Sequence, residues 1–285
     1  IQGTAATALA AILAAERLAG IDLTERNIVV FGAGAAGCGI AELILGELVS
    51  RGLTREAALA RIHAVDRDGL LIENVNVVTA NQARIARPHT EADAWLTQQQ
   101  APSLIETIER ARPAVLIGTS GQFEAFDKPV IEAMTRHNDR PIILPLSNPA
   151  IRAEASAADV QTWSNGRAII GTGSPSHGSN GAVTQVNNVY IFPGIGLGAV
   201  VSGAETITEA MFAEAAKCLA SLVPDEDGDR LFPSTDHLAE IADSIALAVC
   251  RVAERDLGAI PPAGGWEDAI AGHRWAPVYR DPVSP

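Results

Sequence analysis

Between the apolar run Asn27-Ile28-Val29-Val30-Phe31 and a stretch of helix-forming residues from about Gly37 to Ser50 stands Gly32-Ala33-Gly34-Ala35-Ala36-Gly37. The run is too short for a helix, so the segment reads as strand, tight turn, helix. In that setting each glycine of a GxGxxG string has a separate physical task. The first allows the tight turn, the second lets a pyrophosphate approach the backbone, and the third permits close helix-to-strand packing. The free N–H groups and dipole of the helix N-terminus attract the anion. A glycine-rich turn in an alanine-rich chain is the bland alternative, and the strand before it and helix after it argue against that. Cys38 sits beside the same helix start, where a thiol pKa can fall, but it reads as a small buried residue under the turn and not as a nucleophile.

A fold with such a turn places an acidic residue at the end of the next strand, where it holds the adenosine ribose of a dinucleotide. Asp66 closes the run Ile62 to Val65. Its separation from Gly37 exceeds the usual spacing of roughly 20 residues, which predicts that Gly52 to Arg61 extend the crossover helically. An aspartate facing a free 2′-hydroxyl favours NAD, whereas neighbouring Arg67 could pair with the 2′-phosphate of NADP, so NADP stays open. The string Asp66-Arg67-Asp68-Gly69 has a charged turn as its alternative reading, and Asp68 itself is read as a turn residue.

Beyond the turn, helical and apolar segments alternate. Helices are expected near 5–19, 37–50, 102–111, 126–136 and 153–162, with strands at 27–31, 62–66, 114–118, 141–146 and 168–171. After about residue 195 only helices follow, near 195–202, 207–222 and 236–256, before a tail containing Pro and Gly. This order predicts an α/β fold: a Rossmann-like, doubly wound, mainly parallel sheet flanked by helices, with extra helices at the C-terminus over about 195–260. With 285 residues, 47% of them hydrophobic, the chain can fill a sizeable core.

Charge and cysteine usage narrow the function classes. Lys plus Arg number 21 against 34 Asp plus Glu, a formal net charge of -13, which argues against nucleic acid or an anionic membrane surface as a partner. Cys38, Cys218 and Cys250 form no CxxC pair and have no histidine in metal-ligand spacing, so neither a disulfide framework nor a zinc site is expected. No apolar run reaches the roughly 18 to 20 residues needed to span a bilayer. The opening at Ile1 shows no signal peptide and reads as the start of a fragment, and a reducing cytoplasm is the expected compartment. His63, His89, His137, His177, His237 and His273 stand isolated and read as surface or satisfied core residues.

Three further segments carry a family resemblance: Ile1-Gln2-Gly3-Thr4, Leu146-Ser147-Asn148-Pro149, and Asn187-Asn188-Val189-Tyr190-Ile191-Phe192-Pro193-Gly194. With Gly171-Thr172-Gly173-Ser174-Pro175 and the glycine turn, they make the chain resemble malic enzymes over nearly its whole length. The runs Gly34 to Glu42 and Phe192 to Gly198 are most similar to the bacterial NAD-preferring branch. The resemblance implies oxidation of L-malate with a nicotinamide cofactor, loss of CO2 with Mg or Mn as Lewis acid, and release of pyruvate. It implies that Thr4, Gly32, Gly34, Ala35, Ala36, Gly37, Asp66 and Arg67 border the cofactor. Thr119, Ser120 and Gly173 would stand on its nicotinamide side, Ser147 would border the cofactor, and Asn148 and Asn188 would border cofactor and malate together.

The same resemblance places the family's acid tyrosine, base lysine and two carboxylate metal ligands in an N-terminal segment, with a third ligand just before the Ile-Gln-Gly-Thr string. Tyr190, Tyr279, Lys128 and Lys217 stand in no such motif. Residues 1–285 are therefore expected to be a single NAD(P)-binding domain, a C-terminal fragment without catalytic or metal-ligating residues and without turnover of its own. The full-length form is expected to self-associate. A malolactic enzyme releasing lactate, and a nucleotide-sensing module, are the competing readings.

Overall fold

The computed structural model describes residues 1–77, 79–97, 100–178, 181–223 and 228–274. In chain order the elements are α1 (Gln2–Ala19), β1 (Ile28–Phe31), α2 (Ala35–Ser50), α3 (Arg55–Arg61), β2 (Ile62–Asp66), β3 (Gly69–Leu70), the one-turn helices α4 (Ala80–Ala83) and α5 (Ala92–Trp95), α6 (Leu104–Ala111) and β4 (Val115–Gly118). There follow α7 (Lys128–His137), β5 (Ile142–Pro145), α8 (Ala157–Trp163), β6 (Ile169–Thr172), β7 (Ser176–Gly178), β8 (Gly181–Gln185), α9 (Phe192–Ser202), α10 (Glu209–Ser221), α11 (Leu238–Leu257) and α12 (Gly265–His273).

The strands form one sheet in the order β3-β2-β1-β4-β5-β6-β8-β7. From β2 to β8 every neighbouring pair is parallel, and only the rim strands β3 and β7 run antiparallel. The chain leaves β1 toward β2 and then returns to place β4 on the other side of β1. That reversal opens a crevice above the carboxyl ends of β1 and β4, where ligands of doubly wound sheets bind.

Alternation along the strands divides the core in two. Ile28, Val30, Ile62, Ala64, Val115, Ile117, Ile142 and Leu144 face a layer containing α1, α2, α10 and α11. Val29, Phe31, Val65, Leu116, Ile143 and Ile170 face α6, α7 and α8. Because both faces are covered, these strands are apolar at nearly every position, with His63 inside β2 and Asp66 and Thr172 at strand ends, which is why short apolar runs mark them in the sequence.

Local chemistry sets the helix ends. Gly20 closes α1 in the left-handed region at φ 64, its N–H donating to Arg17 O and that of Ile21 to Glu16 O. Thr54 starts α3 by accepting from Ala57 N, so the long crossover is indeed helical. Ser156 accepts from Asp159 N and starts α8 at Ala157, four residues later than the sequence pattern alone indicates. The stretch 153–156 is consequently a loop, a displacement that matters for the site.

Three strands and three helices depart from the sequence expectation. β3 spans two residues, and β7 and β8 are built of Ser, His, Gly, Ala, Val, Thr and Gln with no apolar run, so their pairing comes from the sheet edge. α4 and α5 are one-turn helices inside the long β3–β4 connection. α12 falls in the stretch read as tail, and it forms because Trp266 and Ile270 bury beside Ala246 and Cys250 of α11. Gln98 and Gln99 lie outside the described residues. Among the described residues no helix is long and apolar enough to cross a membrane.

Candidate functional site

The glycine turn is held between β1 and the start of α2. Gly32 has φ 100, and a Cβ there would lie 2.5 Å from the backbone of Ser120. A Cβ on Gly37 would come within 1.9 Å of Gly32 O and 2.8 Å of Thr119 Oγ1, so the helix can approach the turn only with glycine at this position. Gly34 differs from both: it is exposed, and a Cβ there would meet nothing within 4 Å.

Gly34 is also the N-cap of α2, with no side-chain cap and no acidic residue in the first turn. The N–H groups of Ala35, Ala36 and Gly37 therefore have no intrahelical acceptor and no competing carboxylate. Open space in front of an uncapped helix N-terminus suits a phosphate. Cys38 is buried beneath the turn, where its Sγ donates to Ala33 O at 3.3 Å and burial pushes the thiol up to about 11.

Asp66 ends β2, one strand away. Gln82, the N3 residue of a capping box begun by Thr79, donates from Nε2 to Asp66 Oδ2 at 2.9 Å and to Ala33 O at 3.3 Å. One buried amide therefore ties the acidic residue to the turn. Nothing in the sequence pattern singled out Gln82. Arg67 is exposed on the tight turn between β2 and β3.

On the other side of β1, Thr119 follows β4 directly. Its Oγ1 donates to Gly32 O at 2.8 Å and its N–H to Phe31 O at 2.8 Å, locking the β4 loop onto the glycine turn. Ser120 and Ser147, from the loops after β4 and β5, meet on Glu154, which is 0% exposed. Glu154 was concealed in the sequence because the pattern around it reads as helix, where a glutamate means a solvated face.

Farther along the same edge, a Cβ on Gly173 would lie 2.2 Å from Leu146 O and 3.1 Å from Asn148 Nδ2, and Ser174 Oγ donates to Asn148 Oδ1. The Asn148-Pro149 peptide is cis and Asn148 is exposed. Gly32 to Gly37, Thr119, Ser120, Ser147, Asn148 and Gly173 thus form one continuous rim over β1, β4, β5 and β6.

Asn188 joins the rim by another route. Its side chain lies where a Cβ on Gly3 would stand, 2.2 Å from Asn188 Oδ1, and that oxygen is buried with no hydrogen-bond partner. Asn188 is thus brought to the first turn of α1, on which Thr4 is exposed. An orphaned buried acceptor beside an exposed threonine is an unfilled polar position.

The matching family model is that described as the malic enzyme, NAD binding domain, and it covers residues 1–254. A protein of Sodalis glossinidius (strain morsitans) named NAD-dependent malic enzyme is 40% identical in an alignment that covers 99% of this chain and 51% of that protein. A protein of the same name from Proteus mirabilis (strain HI4320) is 40% identical over 98% of this chain and 51% of its own length. The chain spans about half the length of these curated relatives. Among solved structures, the malic enzyme from Pyrococcus horikoshii Ot3 superposes with a TM-score of 0.73 at 25% identity, covering 95% of this chain and 57% of that one. The Entamoeba histolytica malic enzyme gives the same score and identity over 95% of this chain and 51% of that one. Glycine turn, switch-point crevice and sequence relatives agree: this chain belongs to the family of malic enzyme NAD-binding domains.

Proposed function

We propose that the chain binds NAD in the crevice above β1 and β4 and that the protein it represents oxidises L-malate to pyruvate and CO2. The observation that carries the reading is the uncapped N-terminus of α2 at Gly34, open to the crevice, with Asp66 ending the adjacent strand. The pyrophosphate takes the first-turn N–H groups, with Ala35 and Ala36 beside it. The Asp66 carboxylate accepts from the ribose hydroxyls, and Gln82 fixes its orientation. A 2′-phosphate would bring a second negative charge against Asp66, which favours NAD over NADP even with Arg67 close by.

The nicotinamide end then runs over Thr119, Ser120, Ser147 and Gly173. When bound, the cofactor supplies the acceptor for the hydride leaving C2 of malate. Asn148 and Asn188, with Thr4 beside the latter, serve as uncharged partners for substrate and cofactor amide or carboxylate groups. Among the described residues no group of three or more His, Cys, Asp or Glu is gathered to hold a metal ion, and no step through Mg or Mn is assigned to this chain.

Calorimetric titration with NAD and with NADP, repeated on Gly34→Val and Asp66→Ala, tests the proposal. Saturable NAD binding is expected, at least tenfold tighter than NADP, abolished by Gly34→Val and weakened about tenfold by Asp66→Ala, the loss of one charge-assisted hydrogen bond. Binding that Gly34→Val leaves intact would place the nucleotide elsewhere.

A further inference from the structure

A carboxylate with no exposure to solvent lies at the junction of two loops, and the proposed reaction does not use it. Glu154 Oε1 accepts from Ser120 N at 2.8 Å, Ser120 Oγ at 2.8 Å, Ser147 Oγ at 2.6 Å and Gly121 N at 3.3 Å, while Oε2 accepts from Ser147 N at 3.3 Å. The directions are fixed from behind. Gln122 N donates to Ser120 Oγ at 3.1 Å and Gly121 N to Ser147 Oγ at 2.9 Å, so each hydroxyl must turn its own proton toward Glu154. All donors and no acceptors converge on one side chain, which suits an ionised carboxylate and no neutral side chain of the same shape.

The carboxyl group also fills the space over the end of β4, where a Cβ on Gly118 would lie 2.6 Å from its carbon. Stability alone does not call for a buried charge there, since apolar replacements of buried charges are often neutral or stabilising. What the charge does accomplish is alignment: it sets the loop after β4 against the loop after β5, and Thr119 in the first of these is already locked to Gly32.

We propose that Glu154 is the positioning residue of the nicotinamide subsite, holding Ser120 and Ser147 at the spacing the ring requires without touching the ring. This rests on the reading of the crevice as the NAD site. The hydrogen bonds of Glu154 run to Ser120, Gly121 and Ser147, whereas the adenosine end is held by Asp66 and the open N-terminus of α2, so the two ends of the dinucleotide respond differently to its loss.

The test titrates the chain with NADH, reading emission of the bound ring, and with ADP-ribose, which keeps the adenosine and pyrophosphate but lacks nicotinamide. Glu154→Gln preserves shape and places an amide donor against either Ser147 N or the donors on Oε1. The wild type is expected to bind NADH more tightly than ADP-ribose, with enhanced ring emission. Glu154→Gln is expected to keep its ADP-ribose affinity within about twofold, to bind NADH about tenfold more weakly, and to return ring emission toward that of free NADH.

Equal losses for both ligands would reduce Glu154 to a structural role and overturn the assignment, as would no loss for either. A wild type that binds both ligands equally, with unenhanced emission, would remove the subsite but leave the cofactor reading standing. A wild type that takes up neither would overturn the cofactor reading and this inference with it. Should Glu154→Gln not fold, Ser147→Ala keeps the carboxylate and all three amides. Its expected result is a smaller loss, about threefold, confined to NADH, and unchanged NADH affinity and emission in that variant would count against the proposal.

Discussion

Single glycines in the turn separate folding from binding, because they face different surroundings. Gly37 has no room for a methyl group, with Gly32 O 1.9 Å from where a Cβ would stand, and that oxygen is pinned by the hydrogen bond from Thr119 Oγ1. Overpacking at such a site costs about 1–3 kcal/mol, more than the ~1 kcal/mol that alanine gains over glycine within a helix. Gly37→Ala is therefore expected to lower the denaturant midpoint by an equivalent of about 1–2 kcal/mol, measured by urea unfolding without nucleotide. Gly34→Val, into open space, should lose no more than the ~1 kcal/mol that distinguishes glycine from an apolar N-cap, although it blocks the approach of an anion. Equal destabilisation by the two substitutions would contradict the packing described here. The roles of Gly32 and Gly37 were legible in the sequence because strand, turn and helix are local. Gln82 and Glu154 were not, because what they do depends on backbone from other strands: Ala33 and Asp66 for the first, the β4 and β5 loops for the second.

Helix α9 shows the same logic at the scale of an element. Gly194 and Gly198 are four apart and lie on one face, against Ile245, Ala246 and Val249 of α11, with Cβ positions 2.6 and 2.7 Å from their nearest neighbours. Their absent side chains let the two helices approach closely enough for Cys250 Sγ to donate to Gly198 O at 3.4 Å. Gly196, between them, points away and would meet nothing within 4 Å. Alanine at 198 is expected to destabilise by up to about 2 kcal/mol, overpacking of about 1–3 less a propensity gain of about 1, whereas alanine at 196 should stabilise by up to about 1 kcal/mol through helix propensity alone. Opposite shifts in thermal midpoint on one helix check both statements, and shifts of the same sign would reject the close packing of α9 on α11. The central strands were readable for a related reason: burial on both faces makes β1, β4 and β5 apolar throughout, and β2 and β6 mostly so. The strands β7 and β8 take their form from the neighbours they pair with, and no pattern in 176–185 records that.

For the molecule as a whole, one buried base couples folding to pH. His63, on β2 and 2% exposed, packs against Trp95 at 5.1 Å between ring centroids, and its Nδ1 has no hydrogen-bond partner. The Arg87 guanidinium, held by Ala60 O at 2.9 Å and by Glu91, lies over the same tryptophan. Burial first and the charge of Arg87 second push the imidazole down to about 3 from its ordinary 6.5. The sign follows from proton counting: below pH 6.5 the unfolded chain binds a proton that the folded chain refuses. The stabilisation due to a neutral His63 is complete above about pH 6.5 and is lost as pH falls toward 3, at up to about 1.4 kcal/mol per pH unit. The carboxylates behind the net charge of -13 are shared by a variant at position 63, so a difference measurement isolates the histidine. His63→Phe keeps an apolar ring beside Trp95 and removes the proton. Between pH 7 and pH 5 the stability of the wild type relative to His63→Phe is expected to fall by about 2 kcal/mol, read from urea unfolding at each pH. A difference that stays constant with pH would mean that His63 takes up its proton in the folded chain as readily as in the unfolded one, and that β2 is less closed over it than its burial indicates.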